Sequence, residues 1–195
     1  QMIYCKAGWV RVVYEDQGEP FVLQAGDCVL QPPGIRHRVL ESSAGFEVIE
    51  LGSPAVHETF VEHEMQLPTN RVLPERLFGG QRFVRHIASE AEWMVSPIAG
   101  GELRDTGIAA ATNGLASARV HRFAAETSAS THRHDGEFLF LFVLNGKLGF
   151  SSVEKDQHQL SAGDCCVIPA EIEFTLRASH ELELLEVSLP AGSFK

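Results

Sequence analysis

Apolar and polar residues alternate with a period of two along much of the chain, the spacing of half-buried β-strands. Val10, Val12 and Tyr14 alternate with Arg11, Val13 and Glu15, and a turn follows at Asp16-Gln17-Gly18. From Phe138 to Leu144 every position is apolar, which predicts a strand covered on both faces. With Leu139, Leu141 and Val143 lining an interior, Phe138, Phe140 and Phe142 point outward and need a cover, from a second barrel or a homodimer partner. Asn113-Gly114 and Asn145-Gly146 are two-residue turn signals, predicting hairpins that join 108–112 to 118–123 and 138–144 to 147–153. Helical spacing is scarce, with room for one short helix in each of 56–65 and 89–95. Pro68 and Pro74 argue against a continuous strand between Leu67 and Arg76 and mark a linker.

The strand pattern occurs twice. Gly26-Asp27-Cys28-Val29-Leu30-Gln31-Pro32-Pro33 matches Gly163-Asp164-Cys165-Cys166-Val167-Ile168-Pro169-Ala170 at an offset of 137. Upstream, Ile3 to Gly8 matches Phe142 to Gly146 at 138, and downstream Val48-Ile49-Glu50-Leu51 matches Leu184-Leu185-Glu186-Val187 at 136. Three landmarks in step within one residue indicate two copies of one unit. The chain is therefore expected to be all-β, two barrels or sandwiches in tandem. Residues 1–67 form the first, 68–107 the linker and lead-in strands, and 108–195 the second.

Composition narrows the function classes. The chain has 26 acidic against 16 basic residues, a net charge of −10, which argues against nucleic acid or an anionic membrane as partner. No apolar run approaches the ~20 residues of a membrane helix. Gln1-Met2-Ile3-Tyr4-Cys5 lacks the basic-then-apolar order of a signal peptide. The four cysteines form no CxxC pair, and reduced buried thiols in a cytoplasmic protein are expected, with Cys28 and Cys165 as small core residues. No phosphate-binding Gly loop or Ser-centred hydrolase motif occurs. Arg104-Asp105-Thr106-Gly107 reads either as a functional loop or as a turn stabilised by Asp and Gly.

Two segments carry a family resemblance. Gly-Asp, four residues, Pro-Pro-Gly, two residues and His, from Gly26 to His37, resembles the second conserved motif of the cupin superfamily. His132-Arg133-His134, followed by Glu137, an apolar strand and Asn145-Gly146, resembles the first motif. The resemblance implies a bicupin, two jelly-roll β-barrels with little helix. It also implies a divalent metal (Fe, Mn, Ni or Zn) held by His, His and Glu of the first motif and His of the second. Neutral imidazoles with a carboxylate suit those metals, and His132 and His134, two apart on a strand, point the same way.

Departures from the pattern qualify that expectation. The Glu position falls on Leu139, and the nearest carboxylate, Glu137, reaches the same site only if a bulge at Asp135-Gly136 restores the parity. The position matching His37 in the second copy is Phe174, which cannot ligate. In the first copy His37 is kept, while the His-x-His positions fall before Gln1, as expected of a cropped chain. The candidate metal residues are thus His132, His134 and Glu137 in the second barrel and His37 in the first, with Leu139 and Phe174 lining a pocket. His121 reads as a packed or surface residue, and His57, His63, His86, His158 and His180 as surface.

Two functions stay open. One is a metal-dependent enzyme on a small polar molecule, in the manner of cupin dioxygenases or isomerases, with Glu137 as third ligand or general base. The other is a small-ligand-binding, sensing or dimerisation module with a degenerate metal site.

Overall fold

The computed structural model describes residues 1–152 and 155–192. It divides into two compact units, Gln1–Glu90 and Ala91–Lys195. The first contains β1 (Met2–Ala7), β2 (Trp9–Tyr14), β3 (Phe21–Gln24), β4 (Cys28–Leu30), β5 (His37–Ser42), β6 (Glu47–Leu51), β7 (Leu77–Phe78), β8 (Gln81–Arg82) and β9 (Val84–His86). The second contains β10 (Met94–Val95), β11 (Glu102–Asp105), the one-turn helix α1 (Ile108–Ala111), β12 (Ser117–Phe123), β13 (Ser130–His132) and β14 (Phe138–Asn145). Its remaining strands are β15 (Lys147–Ser152), β16 (Lys155–Ser161), β17 (Cys165–Ile168), β18 (Phe174–Ala178) and β19 (Leu182–Leu189). The 68–107 stretch divides between the units, β9 pairing with β4 and β11 with β12.

Each unit is a jelly-roll of two main antiparallel sheets that face each other without closing into one ladder. In the first the orders are β6-β1-β4-β9 and β3-β2-β5; in the second, β10-β11-β12-β19-β14-β17 and β13-β18-β15-β16. The internal repeat is visible bond by bond. Asp27 Oδ2 accepts the Gln24 amide at 2.9 Å, and Asp164 Oδ2 accepts the Ser161 amide at 2.8 Å. Gly26 N–H donates to the Cys5 carbonyl and Gly163 N–H to the Val143 carbonyl, each at 2.9 Å. Gly26 and Gly163, at φ +96° and +94°, supply the left-handed turn that an L side chain resists.

The second core lies between its two sheets. Leu139, Leu141 and Val143 of β14 meet Leu182 and Leu184 of β19 and Phe174, Leu176 and Ala178 of β18. Each large apolar side chain buried there contributes about 1.5–3 kcal/mol. Phe138, Phe140 and Phe142 on the opposite face are half-buried; Phe138 stacks on Phe140 at 6.3 Å between ring centroids, and Phe142 lies tilted against Phe140 at 6.4 Å. The first core joins Val10, Val12 and Tyr14 to Leu23, Val29, Ile35 and Phe78. On its open side β5 and β6 are end strands, whereas their counterparts β18 and β19 continue to β13 and β12. Val39 and Val48, in register with the inward Val12 and Cys5, are accordingly 59% and 39% exposed.

Several local expectations need correction. Ile108–Ala111 forms a helical turn, not a strand, so Asn113-Gly114 closes a helix and not a hairpin. Asn145-Gly146 is a corner between sheets: β14 pairs with β17 and β19, and β15 with β16 and β18. The expected end of the latter strand at Val153 lies outside the described residues. Residues 56–65 carry no helix, and only Ala88–Glu90, a single 3₁₀ turn, stands at the edge of 89–95. Cys28 is buried and Cys165 exposed, because β4 is flanked by β9 while β17 is an edge strand. His86, read as surface, is buried where β9 pairs with β4.

Around the linker, Asp16 is the anchor. Its carboxylate accepts from Thr69 Oγ1 (2.8 Å), Arg71 (3.0 Å) and Arg76 (2.6 Å), tying 69–76 to the end of β2. Desolvation pushes the Asp16 carboxyl up, but the hydrogen bonds from Thr69 and Arg76 and the charges of Arg71 and Arg76 outweigh it. Its pKa lies below the ordinary carboxylate value.

Candidate functional site

Strand parity places the two motif histidines. His132 ends β13 and His134 lies two residues on; both are buried, with Arg133 exposed between them. His132 pairs across the sheet with Phe174, their rings 5.9 Å apart, and its Nε2 is 2.7 Å from Ser130 Oγ. His134 Nε2 is 2.8 Å from the Ile168 carbonyl. A carbonyl only accepts, so Nε2 carries the proton and Nδ1 the lone pair. That Nδ1 is buried with no hydrogen-bond partner among the described residues.

The other motif positions do not complete the set. Leu139 and Phe174 are 0% and 1% exposed and belong to the packed core. Glu137 is exposed, in a bend before β14 begins at Phe138, so the strand parity that turns Leu139 inward does not extend to it. Buried Gly136 turns the chain there without bringing the carboxylate inside. Among the described residues, no three His, Cys, Asp or Glu side chains gather as a metal site. Among the described residues, His132 and His134 thus have no third His, Cys, Asp or Glu with them, and the donor set that the resemblance implies is incomplete in the second barrel.

His37 is the candidate metal residue of the first unit. It opens β5 opposite Tyr14 and stacks on that ring at 5.4 Å and 22°. Desolvation lowers its pKa, against the opposing effects of the Ile35 backbone and the Glu50 carboxylate. Beneath it, Tyr14 donates no proton at ordinary pH; burial holds its hydroxyl at about 12 although it accepts from Gln31 Nε2 at 2.6 Å.

A second polar cluster sits inside the second barrel. His121 Nε2–H donates to Glu186 Oε2 at 2.9 Å, and Ser96 Oγ lies 2.8 Å from His121 Nδ1. Since a carboxylate only accepts, Glu186 fixes the tautomer and Ser96 O–H donates to Nδ1. Arg119 lies 3.9 Å from the other Glu186 oxygen and 3.6 Å from Asp105. One layer away, the Ser117 and Ser188 hydroxyls meet at 2.7 Å. Sequence reasoning missed this cluster and left His121 undecided between packed and surface. The available signal was Glu50 and Glu186, which the repeat places in the middle of an apolar strand in both copies.

The Arg104–Gly107 segment is a turn: Asp105 Oδ1 accepts the Gly107 amide at 2.7 Å, and Gly107 has φ +82°. Open concavities lie elsewhere in the second unit, along Glu126, Lys147, Gln159 and Arg177. Among the described residues, no helix is long and apolar enough to cross a membrane.

Comparison with known proteins follows this geometry. Residues 119–188 match the family model described as Cupin domain. No curated protein matches the sequence. A salicylate 1,2-dioxygenase from Pseudaminobacter salicylatoxidans is similar in structure at TM-score 0.65 and 16% identity, with 96% of this chain and 64% of that one covered. A mutant oxalate decarboxylase of Bacillus subtilis aligns at TM-score 0.64 and 14% identity, covering 100% and 64%. Protein Ylba from E. coli aligns at 0.61 and 14%, covering 96% and 66%. The chain spans just under two thirds of the length of each. At these identities the likeness carries the fold and not the activity.

Proposed function

We propose that the second barrel, whose residues 119–188 match the cupin domain model within a chain of cupin-like fold, is a non-metal cupin module, binding or sensing a small molecule. The observation that carries this reading is the burial of Leu139 and Phe174 in the two positions where the resemblance calls for Glu and His. The similar structures include Bacillus subtilis oxalate decarboxylase, a protein with Mn(II) centres. In this chain His132 and His134 serve hydrogen bonds to Ser130 and Ile168.

A second reading, a metal-dependent enzyme with its site in the first unit, is supported by His37 at the start of β5. It keeps the second-motif position and feels the Glu50 carboxylate. Calorimetric titration of chelator-stripped protein with Mn(II) and Zn(II) separates the two. The module reading expects no tight, saturable site that depends on His132 and His134. A one-per-chain site lost in His132→Ala/His134→Ala overturns it, and one lost only in His37→Ala supports the second reading.

A further inference from the structure

We propose that the outer face of the smaller sheet in the second unit is a binding groove for a small, polyhydroxylated anion, a sugar acid or sugar phosphate. The register builds it. Gly149 of β15 lies between Gln159 of β16 and Arg177 of β18 as direct cross-strand partners. Leu148 and its partners Leu160 and Ala178 turn to the core, so Lys147, Gly149, Gln159 and Arg177 share the outer face.

A glycine at the centre of that row leaves bare backbone between an amide and a guanidinium. A Cβ there would meet Arg177 Cβ at 3.4 Å, ordinary contact, so the notch is open because the residue is Gly and not because the fold demands it. The resulting cavity is about 360 Å³, and an adjoining one of about 500 Å³ shares Glu126 and Arg177 with it. Both volumes lie in the range of small-molecule sites.

Charge sets the class of ligand. In a chain of net charge −10, the groove brings together, among the described residues, Lys147 and Arg177 against one carboxylate, Glu126. Glu126 pairs with Arg177, but both side chains are more than half exposed, so the pair is weak and an incoming anion competes for the guanidinium. The Gln157 and Gln159 amides offer donors and acceptors for hydroxyl groups. Among the described residues, no large apolar side chain lines the groove, which disfavours a hydrophobic ligand. This site stands apart from the barrel interior and holds whether or not either barrel binds metal.

The test is calorimetric titration of the full chain with gluconate and with glucose 6-phosphate, and with glucose as the neutral control. We expect at least one anion to bind at least about 10-fold more tightly than glucose, and to weaken as salt screens the exposed charges. Which anion binds distinguishes carboxylate from phosphate as the recognised group. Gly149→Val fills the notch without changing charge, and Arg177→Glu reverses the charge. Each is expected to lose at least about 10-fold in affinity while keeping the far-ultraviolet spectrum of the barrel. No binding of either anion, glucose binding as well as the anions, or folded variants that bind like wild type would overturn the proposal.

Discussion

Phe174 stands where the family resemblance calls for an imidazole, and its ring is packed into the core of the second barrel. Its ring touches those of His132 and Phe150, at centroid distances of 5.9 and 6.1 Å, and is 1% exposed. Phe174→Ala is expected to cost about 3–5 kcal/mol in urea unfolding, the range for truncating a well-packed aromatic residue. A change below about 1 kcal/mol would mean that the ring is not part of the core. Phe174 was legible from the repeat offset, and Leu139 from its distance to Gly146 in the motif that the resemblance supplies. Glu137 was not, because its direction depends on the bend at Gly136–Glu137, which side-chain spacing does not encode. Asp16 gives a pH prediction. Its carboxyl pKa is depressed in the folded state, so its contribution is present above the ordinary value of 3.8 and lost as pH falls through the folded value. Asp16→Asn is expected to flatten the acid limb of a stability–pH curve below pH 4. An unchanged limb would contradict the anchoring role given to Asp16.

Among elements, the corners carry more information than the strands. Gly146 turns the chain from β14 to β15 at φ +77°, and a Cβ there would lie 2.9 Å from Leu182 Cα. Gly163, at φ +94°, faces open space. Gly163→Ala should therefore cost about 1–2 kcal/mol, the left-handed backbone penalty alone. Gly146→Ala should cost clearly more, since backbone must move. Equal costs in chemical denaturation would contradict the assignment of Gly146 as a close-packed corner. Glu186→Ala removes the acceptor of the buried His121 Nε2–H and is expected to destabilise by about 1–3 kcal/mol, read from the same unfolding curves; no loss would mean that the pair is not sustained. β2 was legible from period-two alternation at Val10–Glu15, and β14 from its unbroken apolar run. The hairpin at Asn113-Gly114 was misread because Asn-Gly supplies only left-handed φ, here +53° and +81°. The alanines at 109–111 before it favour a helical turn over a strand. The Ser96–His121–Glu186 cluster stayed hidden because Ser96 reaches β12 from the segment just after β10, a contact that no local spacing records.

For the whole molecule, the repeat fixed the tandem architecture, and the structure shows the two copies diverging in what they hold inside. In the second barrel Leu139 and Phe174 pack in the core at the positions where the resemblance calls for Glu and His, while the first has His37 beside Tyr14 and Glu50. Fold was readable because it rests on many repeated positions, whereas a metal site rests on three or four residues. The most direct measurement is metal content per chain by plasma mass spectrometry, on untagged protein, for wild type, His132→Ala/His134→Ala and His37→Ala. The non-metal reading of the second barrel predicts that Fe, Mn, Ni and Zn content does not differ between wild type and the His132/His134 double variant. Near-stoichiometric metal in wild type that disappears in that double variant, with the fold intact, would contradict it.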